Sequence, residues 1–397
     1  MPGPLDGIRI VDLSQMASGP YATAQLADQG ADVIKVESPG LGDQMRAFPS
    51  FAKGGMAAVT ASLNRGKRSI SVDLATEAGI GVARRLLADA DVFLQNFRPG
   101  VIARMGLDPA DLRAANPRLI TVSVSGYGLE GPMRDLPVFD PVIQAITGHI
   151  AFQVNPKIPF PDLVRNVIVD KSTACYVAQA ITAALFHRER TGEGQHIDIS
   201  MLDSSLNFFW PDGMMSETFL DDDVVGGMTI ADLYSLTDCA DGQVVYFAGT
   251  LPQRMGLFRA LGHPEWCDDE RFNGNDLVLN PDNFALLGEM LAGAFTSTPA
   301  AELTERLNEN DVPCGMVTAV ADVPHQVQVV ANDSLIEFED PNAGRVRQPR
   351  PAARFQSSPC EPTWTLPLNG AHTTEVLEHA GFSPAEIAAL RAEGTIA

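Results

Sequence analysis

The chain has 397 residues, room for two domains or one large α/β unit. Hydrophobic residues make up 45% and charged residues 20%, the balance of an ordinary globular enzyme. A formal net charge of -22 excludes a nucleic-acid partner, which would need a basic face, but leaves room for a local basic pocket. No apolar run approaches the ~18 residues of a membrane helix. The opening MPGPLDGIRI lacks the basic and apolar regions of a signal peptide, so a cytoplasmic location without a membrane partner is expected. The five cysteines, Cys175, Cys239, Cys267, Cys314 and Cys360, are dispersed and form no C-x-x-C pair. Neither a disulfide framework nor a metal site is expected.

In chain order, Leu5 to Leu13 reads as a strand, Ser14 to Pro20 as a loop and Tyr21 to Gln29 as a helix closed by Gly30. Val33 to Glu37 is the next strand, completing a β-α-β unit with parallel strands. Gly19 alone does not make G-x-G-x-x-G, so Glu37 at the strand end does not signal a nicotinamide site. Pro39 to Ala61 reads as an irregular surface excursion. Asn64 to Ser69 is a basic turn, either solvated or a phosphate contact, ahead of a strand from Ile70 to Leu74. A helix from Thr76 to Ala88, a strand at Val92-Phe93-Leu94 and a strand from Leu119 to Val124 continue the alternation. This is the pattern of an open, doubly wound sheet. Ligands of such sheets lie at the carboxyl ends of the strands. The loops beginning at Ser14, Asn96 and Ser125, and the turn before Asp170, are therefore expected to share one crevice. Asp140 before Pro141 matches a helix cap with proline at the first helical position.

The stretch from 161 to 205 is the most informative. Val167-Ile168-Val169 delivers Asp170 to the start of a helix whose Ala174, Val177, Ala178, Ile181 and Leu185 share one face. His187, Arg188 and Arg190 crowd its last turn, and Gly192 and Gly194 end it. Ile197, Ile199 and Met201 then alternate as in a strand. Asp170 has two readings. One is an N-cap, for which Asp is well suited. The other is a carboxylate kept ionised near neutral pH by the helix N-terminus and able to attack an activated acyl group.

Beyond Ser205 come the cluster Phe208-Phe209-Trp210-Pro211, then Asp221 to Asp223 and Gly226-Gly227, together read as an exposed linker. Tyr234 to Ala248 suggests a hairpin turning at Asp241-Gly242. Helices are expected around Met255 to Leu261 and Leu286 to Phe295, and a loop at Val312 to Gly315. Pro341 to Pro367 is Pro- and Arg-rich and reads as a segment crossing back; Thr373 to Glu393 reads as helical. The resulting fold is α/β, with a large parallel-sheet domain from 1–215 and 330–397 and a smaller domain at 225–325, joined by linkers. Tyr127, Trp210, Tyr234 and Phe247 either line an acyl pocket or belong to the core.

The segments LDGIRIVDLSQMASGP, GADVIKVE, NRGKRSISVDL, NFRPG, NPRLITVSVSGYGLEGP, FDPVIQAITG, RERTGEGQHIDISML and AHTTEVLEHAGFSPAEIAAL occur in one order along nearly the whole chain. Together they resemble the family III CoA-transferases, the group that includes α-methylacyl-CoA racemases. The resemblance implies a Rossmann-like large domain, a smaller α+β domain and an interlocked homodimer. It implies Asp170 as the catalytic residue. CoA contacts would fall at Ala17, Ser18, Val72, Asp73, Asn96, Phe97, Arg98, Arg104, Phe139 and Asp140. It also implies acyl-CoA and a carboxylic acid as substrates, with CoA a substrate component and no separate cofactor. Transfer would run through an aspartyl-acyl anhydride and an aspartyl-CoA thioester, between two acids or between two carboxyls of one molecule.

Two departures from the family pattern matter. Racemases of the group carry His immediately before the residue matching Asp140. Here it is Phe139, which cannot carry a proton. Formyl-CoA transferases carry a glycine run in the small domain, where this chain has Ala248-Gly249-Thr250. That does not support a formate and oxalate substrate pair. The competing readings are an isomerase or racemase using Asp170 as base, and a CoA-binding protein without catalysis.

Overall fold

A computed structural model describes residues 3–153, 162–227, 229–234, 236–274, 277, 280–360 and 364–397. Position 161, where the informative stretch begins, position 235 in the expected hairpin and positions 361–363 in the Pro- and Arg-rich segment lie outside the described residues. The chain divides into two compact units, Met1–Gly213 with Asp333–Ala397, and Met214–Asn332.

The first unit is built on six parallel strands: β1 (Arg9–Asp12), β2 (Asp32–Glu37), β3 (Arg68–Ser71), β4 (Val92–Gln95), β5 (Ile120–Ser125) and β6 (His196–Ser200). Their spatial order is β3-β2-β1-β4-β5-β6. The order reverses between β1 and β4, so the crevice of this doubly wound sheet opens above their carboxyl ends. Apolar runs such as Val92-Phe93-Leu94 are fully buried because helices cover both faces. One face is covered by α1 (Ser18–Ala27) and the long helix from Ile168 to Thr191, in one core with Ile10, Val92 and Val122. The other is covered by the helix Glu77–Ala88 and the C-terminal helices Thr373–His379 and Pro384–Ala392.

Several expectations need correction. The helix expected from Tyr21 begins at Ser18. Pro20 sits in its first turn, where no N–H partner is required. Gly19 has a separate reason: a Cβ there would lie 2.3 Å from Ser14 Cβ. The excursion from Pro39 to Ala61 contains a 3-10 turn (Gln44–Ala47), a two-residue ladder pairing Ala52 with Ala57, and the helix Ala58–Asn64. The basic turn is neither solvated nor open to a phosphate. Arg65 pairs with Asp28 at 2.5 Å, Lys67 with Asp12 at 3.2 Å and Arg68 with Asp32 at 2.6 Å. Met201 belongs to a helix (Met201–Gly213) that also takes in the aromatic cluster read as linker. Phe209 is buried there, its ring tilted against that of His149 with centroids 4.3 Å apart.

The second unit holds a three-stranded antiparallel sheet: β7 (Thr237–Asp238), β8 (Gln243–Tyr246) and β9 (Cys314–Met316). The expected turn at Asp241-Gly242 joins the first two strands. The third occupies the place expected to be a loop, because Val244 pairs with Met316. Helices Leu251–Ala260, Pro281–Phe295 and Ala300–Glu309 complete its core. In the first unit a hairpin joins β10 (Leu335–Asp340), just before the Arg-rich crossing segment, to β11 (Gly344–Pro349) within it, and Glu337 takes both Arg345 and Arg347. Among the described residues no helix is long and apolar enough to cross a membrane.

Candidate active site

Asp170 is the third residue of the helix Ile168–Thr191, here called α3, with α2 denoting Asp140–Ile146. Val167 stands at the cap position of α3 and offers no side-chain acceptor. The orphan amides of this helix end are met from elsewhere. Asp140 Oδ2 accepts the N–H of Val169 at 2.8 Å and of Asp170 at 2.9 Å. Asp140 is itself the first residue of α2 and only 3% exposed. Gln144, one turn on, donates to Asp140 Oδ1 at 2.5 Å and to the Val164 carbonyl at 3.2 Å, while its Oε1 accepts the Val164 N–H at 3.0 Å.

Both cap readings are thereby exchanged. Asp140 caps α3, thirty residues on, and not its own helix. Asp170 caps no amide of its own helix, and its carboxylate turns to another element. That carboxylate is half-buried and meets Ser18 at the start of α1. Burial, then the negative charge of Asp140, push its pKa up to about 7, against hydrogen bonds from the Ser18 hydroxyl and N–H. The expectation of a fully ionised group near neutral pH is corrected accordingly. The helix end is already occupied by Asp140, and burial outweighs what remains of its field.

Ala17 and Ser18 form the entry to α1 and are buried. The Asn96 side chain closes on Gln15, accepting its N–H at 2.8 Å and donating to its carbonyl at 2.7 Å. The loops after β1 and β4 are thus tied together across the point where the strand order reverses. Tyr127, from the loop after β5, packs with Ile143, Val169 and Met201. Loops 14, 96 and 125, and the turn before Asp170, are brought together.

Phe97 and Arg98 line a cavity of about 180 Å³ with Gly100, Ser123, Ser125 and Leu129. Arg98 and Arg104 are exposed, and among the described residues neither has an ion-pair partner. Val72 and Asp73 are tied to the C-terminal end of the chain. Val72 bridges to Ile396, and the Asp73 N–H is donated to the Thr395 carbonyl. Phe139 is 56% exposed. Of the aromatic residues considered for an acyl pocket, Tyr127 is core, while Trp210, Tyr234 and Phe247 are exposed. No group of three or more His, Cys, Asp or Glu residues placed to hold a metal occurs among the described residues.

Two participants have no local signal in the sequence. Gln144 carries nothing that marks it as the brace of Asp140. His149 is buried with Nε2 3.2 Å from Ser205 Oγ, and burial lowers its pKa against the opposing charges of Asp140 and Asp212.

The fold and the sequence have counterparts in known proteins. A CAIB/BAIF family protein from Brucella suis superposes with a TM-score of 0.81 at 31% identity, over 96% of this chain and 100% of that one. The succinyl-CoA--D-citramalate CoA-transferase of Chloroflexus aurantiacus is 31% identical, over 100% of this chain and 98% of its own length. The succinyl-CoA:glutarate CoA-transferase of Mus musculus is 31% identical over 94% and 86%. The acetyl-CoA:oxalate CoA-transferase of Acetobacter aceti is 33% identical over 84% and 86%. The sequence profile of CoA-transferase family III matches residues 5–373, and the chain belongs to that family.

Proposed function

We propose that the protein transfers CoA from an acyl-CoA to a carboxylic acid with Asp170 as nucleophile. The carrying observation is that the Val169 and Asp170 amides are taken by Asp140, so the Asp170 carboxylate is not used to cap its own helix and stands beside Ser18 instead. A pKa near 7 leaves a large ionised share at neutral pH and a more nucleophilic oxygen than an ordinary carboxylate has.

Asp170 attacks the donor thioester carbonyl; the C–S bond breaks, CoA leaves as thiolate and an aspartyl-acyl anhydride remains. The thiolate attacks the aspartyl carbonyl, releasing the donor carboxylate and forming an aspartyl-CoA thioester. The acceptor carboxylate attacks that carbonyl and expels the thiolate again. The thiolate then takes the acceptor acyl group from the second anhydride and frees Asp170. Each step exchanges one activated acyl bond for another. The developing oxyanion needs donors, and the N–H and hydroxyl of Ser18 stand beside the carboxylate that reacts.

The proposed CoA contacts are Ala17, Ser18, Val72, Asp73, Asn96, Phe97, Arg98, Arg104, Phe139 and Asp140. The unpaired guanidinium groups of Arg98 and Arg104 suit phosphates. Asn96 and Asp140 would contribute backbone only, their side chains being engaged. The named relatives act on succinate, glutarate, citramalate or oxalate, so a dicarboxylic acid is the proposed substrate class. A homodimer is proposed as the working form, supported by Phe139, Val142 and Ile146 exposed along one stripe of α2.

The test is hydroxylamine trapping during turnover of succinyl-CoA with a panel of dicarboxylic acids, read by peptide mass spectrometry. An Asp170 hydroxamate is expected, and Asp170→Asn should lose both adduct and transfer. Full transfer by Asp170→Asn would refute the assignment. Exchange of solvent deuterium into Cα of a chiral acyl-CoA, without transfer, would favour a racemase instead.

A further inference from the structure

The loop Ser14–Ala17 is held in a way the proposed reaction does not by itself require. Strand pairing from β1 ends at Leu13, whose N–H goes to the Leu94 carbonyl. Beyond it, the side chain of Asp12 and side chains from three other segments take over the backbone. The Ser14 N–H goes to Asp12 Oδ1 at 2.9 Å, and the Ser14 carbonyl accepts from Lys35 Nζ. Both polar backbone groups of Gln15 are on the Asn96 amide. The Met16 N–H goes to Asp43 Oδ1 at 3.1 Å. Met16 sits at φ 67, a left-handed conformation that a methionine adopts only when its surroundings enforce it.

The anchors are themselves fixed. Lys35 and Asp43 pair at 3.0 Å with side chains at most 1% exposed. Asp12 accepts Thr23 Oγ1 of α1 at 2.6 Å and Lys67 Nζ at 3.2 Å; burial works against its charge, but these partners and Lys35 bring its pKa to about 2. The residue this loop delivers is Ser18, the partner of Asp170.

We propose that Asn96 and the buried Lys35–Asp43 pair are positioning residues that clamp the loop after β1, so that the first turn of α1 presents Ser18 to the Asp170 carboxylate. Their side chains touch neither substrate nor the reacting carbonyl and act through the loop. This role of Asn96 is distinct from a CoA contact, and it rests on the reading of Asp170 as nucleophile.

The test uses Asn96→Ala and Asn96→Leu, which both remove the two bonds to Gln15 without adding charge; the leucine keeps the branched shape. Two readouts are taken: the acidic limb of kcat against pH, and the titration of Asp170 in protein carrying 13C-labelled aspartate carboxyls, assigned against Asp170→Asn. Loosening Ser18 withdraws donors from the ionised form, so both should move upward by ~1 pH unit, about the effect of one lost bond. A raised KM with an unmoved acidic limb and carboxyl titration would overturn the proposal and leave Asn96 a ligand contact. A lowered melting temperature with an unmoved titration would overturn it too. A shifted carboxyl titration in a protein inactive with every acid tried would support the clamp while sinking the transferase reading, so the two failures separate.

Discussion

Asp140→Asn separates the two jobs of Asp140, because the replacement keeps the shape and removes the charge. Burial is the larger cause of the raised Asp170 pKa and is untouched; the negative charge of Asp140 is the second cause and disappears. Unit charges roughly 6 Å apart at an effective dielectric of about 40 interact by about 1.4 kcal/mol. That is about one pKa unit. Asp170 should therefore titrate near 6 in the variant, not near 7. At pH 6 its ionised share would rise from about a tenth to about a half. The acidic limb of kcat should move down by that amount, opposite in sign to the shift expected for Asn96→Ala. The plateau should fall, because neutral acceptors hold the α3 amides less well. The new amide nitrogen also meets a donor: Gln144 cannot turn its oxygen toward it without losing both bonds to Val164. The assay is steady-state transfer from succinyl-CoA between pH 5 and 9 at saturating acceptor. An acidic limb that stays in place would show that the two carboxylates do not sense each other, and an upward shift would refute the sign of the argument.

Lys35→Met should destabilise the first unit by about 3–5 kcal/mol, since it strands a buried Asp43 carboxylate and the Ser14 carbonyl; denaturant unfolding with a loss under about 1 kcal/mol would contradict the burial of that pair. Gly19→Ala should cost about 1–3 kcal/mol and impair transfer, because the new Cβ would lie 2.3 Å from Ser14 Cβ and force the loop or α1 to move; unchanged melting and activity would refute this. Asp170→Asn should stabilise the protein at pH 8 and much less at pH 5. The folded pKa of Asp170, about 7, lies above the ordinary 3.8, so its favourable contribution is complete below the lower value and is lost as pH rises through the upper one. Equal melting shifts at both pH values would count against the raised pKa.

The alternation of strands and helices was legible because buried parallel strands write themselves as apolar runs, as in Val92-Phe93-Leu94. Asp170 stands out as a candidate through its neighbours in sequence and the family segments around it. Its electrostatics were not legible. Burial and the approach of Asp140, thirty residues away, are tertiary facts, and they reverse the local inference from a helix N-terminus. The basic turn failed for the same reason: Arg65, Lys67 and Arg68 find carboxylates 37, 55 and 36 residues distant. The start of α1 was obscured because Gly19-Pro20 is loop chemistry by composition, while here glycine permits a close approach and proline occupies a first turn. The segment after Ser205 reads as a linker because its aromatic cluster runs into Asp221 to Asp223 and Gly226-Gly227, yet the cluster lies within the helix Met201–Gly213, with Pro211 near its end.

The missing glycine fingerprint and the placement of Asp170 have one explanation. In a dinucleotide-binding sheet of this strand order, the glycines after β1 let a pyrophosphate reach the N-terminus of the first helix. Here Ala17 and a buried Ser18 stand at that terminus, and the anion it receives is a side chain of the same protein, the carboxylate of Asp170. A carboxylate carried on α3 needs no glycine-lined path for a ligand. It needs a rigid loop that holds the helix end at a fixed distance. Met16 in its left-handed conformation, Gln15 on Asn96 and the buried Lys35–Asp43 pair supply that rigidity. On the proposed reading, the fold's anion site is converted from a place that binds a phosphate into a place that sets the reactivity of a nucleophile, and CoA phosphates would be left to exposed cations such as Arg98 and Arg104.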